Sequence, residues 1–129
     1  GVISNAQFYT PVVLNYFLYQ VFEENDKLKI IDPDLTVFSY KELKAKPDIA
    51  LFEKIIKRLK NKYGLAPHQA AFIGNDMYKD IYPAHQADMK TILFAGDERS
   101  LRMREDKTEV KNIRPDFIIN DLNQLQHII

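Results

Sequence analysis

Cysteine is missing from the 129 residues, and so is any excess of charge: 18 Lys and Arg stand against 18 Asp and Glu, a formal net charge of zero with the three His neutral. Without cysteine there is no disulfide framework, no thiolate zinc site and no cysteine nucleophile, so any metal must rest on oxygen or imidazole; the absence also fits a reducing cytoplasm. Without net charge, no global field draws the chain toward nucleic acid or an anionic membrane. No run approaches the roughly 20 apolar residues of a membrane-spanning helix, and the start is not a charged-then-apolar signal peptide. Internal repeats, low-complexity tracts and dividing linkers are also lacking, which leaves one domain large enough to bury a core without staples.

What is present alternates between strand and helix signals. Val2 to Ser4 is a short apolar run ending in a polar residue, the pattern of a parallel strand that delivers a side chain to its carboxyl end. Thr10 as N-cap and Pro11 at the first helical position predict a helix from Val12 to about Glu23. It is apolar on most of its circumference and is expected to be covered on two sides. Leu35 to Ser39 reads as a second strand, with Tyr40 to Lys46 as its exit loop. From Pro47-Asp48 an amphipathic helix turns Phe52, Ile55, Ile56, Leu59 and Tyr63 inward and stops at Gly64 and Pro67. Ala71 to Gly74 and Thr91 to Phe94 read as strands around a helix from Asp80 to about Asp88. Phe117 to Ile119 is a fifth strand before a terminal helix from about Leu122. The alternation predicts an α/β fold: an open, Rossmann-like parallel sheet with helices on both faces and ligands at the carboxyl ends of the strands.

Three polar clusters fall at such strand ends: Ser4-Asn5, the loop containing Lys46, and Gly74-Asn75-Asp76 with Asp80. A hydroxyl with neighbouring N–H groups can hold a phosphoryl oxygen, a lysine can neutralise charge that grows in the transition state, and paired carboxylates can hold a hard divalent cation. Together they describe phosphoryl chemistry. Each also has a plain structural reading: Ser4 as a strand-end cap, Lys46 as a solvated cation, Asp76 and Asp80 as caps of the next helix. His68, His85 and His127 lack metal-ligand spacing and read as surface histidines. The charge-dense stretch from Asp97 to Asp116 reads as a solvated, mobile loop, with a substrate-contacting flap as the alternative.

The ordered set resembles the haloacid-dehalogenase-like (HAD) hydrolase superfamily over nearly the whole chain. Gly1-Val2-Ile3-Ser4-Asn5-Ala6-Gln7 is similar to its second motif, Lys46-Pro47-Asp48 to its third, and Phe72 to Ile81, with Asp76 and Asp80 four apart, to its fourth. The resemblance implies a Mg²⁺-dependent phosphohydrolase acting on a small phosphorylated metabolite through an aspartyl phosphate. Ser4 would bind the phosphoryl group with Asn5 beside it, and Lys46 would steady that group and the nucleophile. Asp76 would ligate Mg²⁺, and Asp80 would support the metal through water or orient Lys46.

The family's first motif, an Asp-x-Asp strand carrying the nucleophile, and its substrate-selecting cap have no counterpart in the chain. Asp32-Pro33-Asp34 has the spacing but precedes a strand, and reads as a turn. The family order puts the absent strand between Val2–Ser4 and Ala71–Gly74. The expectation is therefore an incomplete HAD-like core over residues 1–129, inactive by itself and completed by an upstream segment or by another copy. Asp88 stands where the family often has Gly, and Asp tolerates the left-handed turn better than most residues. Two other functions fit less well: a haloacid dehalogenase working without Mg²⁺, which has less use for the Asp76/Asp80 pair, and a non-catalytic α/β receiver-like module, in which the acidic pair would precede the lysine.

Overall fold

Parallel strands need crossover connections, and the helical segments between the strands supply them. The computed structural model describes residues 1–21 and 31–128. Strand β1 (Val2–Ser4) pairs in parallel with β2 (Thr36–Phe38), Val2 beside Thr36 and Ser4 beside Phe38. Strand β3 (Ala71–Gly74) pairs in parallel with β4 (Lys90–Phe94), which pairs in parallel with β5 (Phe117–Ile119). Helices α1 (Thr10–Val21), α2 (Ser39–Glu42), α3 (Ala50–Tyr63) and α4 (Tyr82–Gln86) complete the expected α/β, Rossmann-like plan. Neighbouring residues of a strand point to opposite faces, and Ile92 and Leu93 are 0% and 2% exposed, so both faces of β4 are covered.

The strands fall into two sheets, divided between β1 and β3, where the family order puts a further strand. Among the described residues the order is β1–β2 and, separately, β3–β4–β5, and β1 does not pair with β3. The two strands instead line a common cavity of 120 Å³, together with Leu59 and Met89. One apolar cluster joins Ile3 and Val37 to Leu51, Phe52, Ile55 and Leu59 of α3 and to Ala84 and Ala87. A second gathers Met77, Ile81, Leu93, Val110 and Ile113.

Several local expectations shift for identifiable reasons. Residues Pro33–Leu35 form a 3₁₀ turn in which the Asp32 carboxylate accepts from the Asp34 N–H, so β2 starts at Thr36. Ser39 leaves the strand because its hydroxyl accepts from the Ala6 N–H at 2.9 Å and donates to the Ala6 carbonyl at 3.1 Å. Tyr63, expected inward, is 49% exposed and donates its hydroxyl to Asp32. That bond and Lys62 hold the Asp32 carboxyl down at about 2, so the Asp32-Pro33-Asp34 turn spends its charge locally. Residues Leu122–His127 wind as 3₁₀ rather than α, capped by Asp121. Asp88 adopts the left-handed conformation at φ 60°.

The largest departure is α1. Val12, Tyr16 and Phe17 are 70%, 62% and 61% exposed, where cover on two sides was expected. The expected continuation of this helix through Phe22 to Glu23 lies outside the described residues.

Asp116 ties β5 to β4. Its carboxylate accepts from the Thr91 N–H and hydroxyl, both at 2.8 Å, and its own N–H donates to the Thr91 hydroxyl at 3.0 Å. The Thr91 N–H holds the Asp116 carboxyl below its ordinary 3.8 against the upward push of burial, helped by the Thr91 hydroxyl and Lys90. A carboxyl depressed on folding stabilises the fold above its unfolded pKa and loses that contribution as pH falls through its folded one. Asp116→Ala is expected to cost about 1–2 kcal/mol at neutral pH by stranding the fully buried Thr91. In urea denaturation the gap to wild type should narrow as pH falls below 3.8.

Candidate active site

Lys46 is set in place from both ends. Its backbone is clamped by one side chain: the Asn5 carboxamide oxygen accepts from the Lys46 N–H at 2.6 Å, and the Asn5 amide donates to the Lys46 carbonyl at 3.2 Å. This clamp joins the loop after β1 to the loop before α3. The ammonium lies 5.6 Å from the centre of the Phe72 ring, which rests edge-on against the fully buried Phe52 at 4.9 Å. At its tip Lys46 forms an ion pair with Asp80, and the side chains are 13% and 6% exposed.

Asp80 is held equally firmly. Its other carboxylate oxygen accepts from the N–H groups of Asn75 and Asp76, each at 3.1 Å. The carboxylate therefore caps the end of β3 while its opposite oxygen faces Lys46. This geometry requires close approach of the chain at Gly74, where a Cβ would overlap the Asp80 side chain. Asp76 caps the following turn, its carboxylate accepting from the N–H groups of Tyr78 and Lys79, both at 3.0 Å. The expected helix from Asp80 accordingly begins earlier, as a wide turn over Met77–Ile81 that runs into α4. In that turn the N–H groups of both Asp80 and Ile81 donate to the Asp76 carbonyl, at 2.8 and 3.2 Å.

The stretch from Asp97 to Asp116, expected to be a solvated and mobile loop, is docked on this turn. The Arg102 N–H donates to the Asn75 carbonyl and the Met77 N–H to the Arg102 carbonyl, both at 2.9 Å, and the Asn75 amide reaches the Ser100 carbonyl at 3.0 Å. Val110 and Ile113 are buried beneath it. Arg104 closes over Asp76, with its Nε 3.0 Å and its Nη2 2.6 Å from Oδ2. Burial pushes the Asp76 carboxyl up, but Arg104 and the N–H groups of Lys79 and Tyr78 outweigh it and hold the carboxyl below its ordinary value. Arg104 went unnoticed in the sequence because its place among many charges hid it; the apolar Leu101, Val110 and Ile113 were the available sign of a packed segment.

The family model for HAD-hydrolase-like proteins matches residues 44–125, more than half of the chain. The chain belongs to the HAD-hydrolase-like family. Solved structures share the HAD-like fold. An HAD phosphatase from Thermococcus onnurineus aligns over 95% of this chain and 46% of its own, at 20% identity and a TM-score of 0.63. The HAD-hydrolase YfnB from Bacillus subtilis, bound to magnesium, aligns over 70% and 35%, at 23% identity and a TM-score of 0.54. A 2-haloacid dehalogenase from Pseudomonas syringae pv. Tomato aligns over 82% and 41%, at 24% identity and a TM-score of 0.55. This HAD-like chain thus spans less than half the length of each of these structures. No curated protein matches it.

The residues expected to form the site make one chain of contacts at the carboxyl ends of β1 and β3: Asn5 to Lys46, Lys46 to Asp80, Asp80 to the backbone of Asp76. Ser4, half-buried beside Phe38, joins through its neighbour Asn5. Asn5 spends its amide on the Lys46 backbone. The contacts of Asp80 are with the Lys46 ammonium and the N–H groups of Asn75 and Asp76. The three histidines are exposed, as expected. Among the described residues no group of three or more His, Asp or Glu forms a metal cage. Gly74→Ala is expected to lower stability by about 1–3 kcal/mol, because the new methyl must move Asp80 or the β3 backbone. Equilibrium denaturation would measure it, and a variant as stable as wild type would contradict the close approach.

Proposed function

We propose that the complete protein hydrolyses a small phosphomonoester in a Mg²⁺-dependent reaction through an aspartyl phosphate, with the nucleophilic aspartate on a segment upstream of this chain. The observation that carries the reading is the buried Lys46–Asp80 pair, which places one fixed ammonium between the ends of β1 and β3. A lysine so held can neutralise growing charge on a phosphoryl group without reorganising during the reaction. Ser4 would donate its hydroxyl to the same phosphoryl oxygens. Asn5 would act beside it by holding the Lys46 loop.

Asp76 fits a magnesium ion: it is buried, and its carboxyl is held toward the ionised form. Mg²⁺ commonly takes one or two carboxylates and completes its shell with water and substrate phosphate, so a full protein cage is unnecessary. Bound at Asp76, with Asp80 behind it, the ion would neutralise phosphate charge. The edges of β1 and β3 that carry no partner strand among the described residues, and their shared cavity, support a strand from upstream, or from another copy, as the piece that brings the nucleophile. Its partners would then be a small phosphorylated metabolite and that strand, with no nucleic acid or membrane. No helix among the described residues is long and apolar enough to cross a membrane, and the lack of cysteine fits a cytoplasmic enzyme.

In a phosphomonoester panel, the complete protein is expected to release phosphate with Mg²⁺ and to stop when EDTA is added, while residues 1–129 alone stay inactive. Lys46→Ala and Asp76→Ala should each lower kcat/KM by about 100-fold or more. Near-wild-type turnover in either variant would refute the assignment. Halide release from a 2-haloacid that survives the chelator would replace it with a dehalogenase.

A further inference from the structure

The Asp76 carboxylate already has a cation. Arg104 sets Nε between its two oxygens, at 3.0 and 3.2 Å, and Nη2 against Oδ2 at 2.6 Å. A guanidinium in this forked arrangement uses the lone pairs that a hard metal ion would need, and both deliver positive charge to the same buried group. The arginine is poised rather than entombed: its side chain is 32% exposed against 9% for Asp76. It also sits at φ 57°, a left-handed conformation that side chains other than Asn and Asp seldom adopt. The ties at Arg102 and Ser100 anchor the segment independently of the guanidinium, so the side chain can leave while the backbone stays.

We propose that Arg104 is a resident counter-cation that keeps Asp76 closed to a divalent ion, so that metal uptake requires Arg104 to swing out. The inference rests on reading Asp76 as the metal ligand. Metal-free protein would then hold a compact, charge-balanced site in place of an exposed carboxylate, and metal affinity would be set by competition with the arginine. Removing the competitor tightens metal binding, whereas removing a residue that merely supports the site loosens it. The two roles therefore predict opposite signs.

The test is Mg²⁺ titration of the complete protein by calorimetry, with melting curves in EDTA and in saturating Mg²⁺. Arg104→Met, which keeps the unbranched apolar stem and loses the charge, should bind Mg²⁺ about tenfold more tightly. It should melt below wild type in EDTA and gain more on adding Mg²⁺. Arg104→Lys, charged but unable to cover both oxygens, should fall between the two and guards against a folding defect in the methionine variant. Equal or weaker Mg²⁺ affinity in both variants overturns the role of Arg104 while leaving Asp76 as ligand. If wild type and variants alike bind no Mg²⁺, the metal reading of Asp76 fails and takes this inference with it.

Discussion

Two opposite charges removed from water must compensate each other closely, and the Lys46–Asp80 pair is where this molecule meets that demand. Taking an ammonium and a carboxylate out of solvent costs several kcal/mol each, and mutual attraction offsets this only when geometry is good and the remaining lone pairs are satisfied. Here they are satisfied: one Asp80 oxygen faces Lys46, and the other accepts two backbone N–H groups at the end of β3. The pair contributes orientation more than stability. It obliges Gly74 to lack a side chain, sets the turn that presents Asp76, and holds the loop before α3 against the end of β3.

Asn5 extends that constraint to the other ladder. Its bidentate grip on the Lys46 backbone ties the end of β1 to the ion pair without strand pairing between β1 and β3. Around the cavity between them, Ile3 and Phe72 belong to one apolar cluster, so packing and the polar clamp join what hydrogen bonding leaves divided. Unpaired strand edges and exposed apolar faces are unusual to leave uncovered. Among the described residues both occur, the former at β1 and β3 and the latter along α1. They accord with a chain that spans less than half the length of the structures it resembles.

The segment after β4 gives the site its second layer. It is fastened through backbone bonds to Asn75 and Met77 and through the burial of Val110 and Ile113, and it closes the Asp76 carboxylate with Arg104. A carboxylate with three sources of positive potential, the guanidinium and two N–H groups, is stable in a nearly dry position.

Periodicity and punctuation in the sequence were enough to place all five strands to within about two residues, because short apolar runs between turn formers have few other uses. They also placed the helix ended by Gly64, whose positive φ no bulkier residue would readily supply. The order of Ser4, Lys46, Asp76 and Asp80 along the chain was likewise legible, and with it the family. Contacts between segments distant in sequence were decided in three dimensions: Asn5 reaching 41 positions to Lys46, Tyr63 turning out to Asp32, and Arg104 reaching back 28 positions to Asp76. A local pattern records which face of an element is apolar. It does not record which of many charged side chains will be carried, by the packing of its neighbours, to within bonding distance of a buried partner.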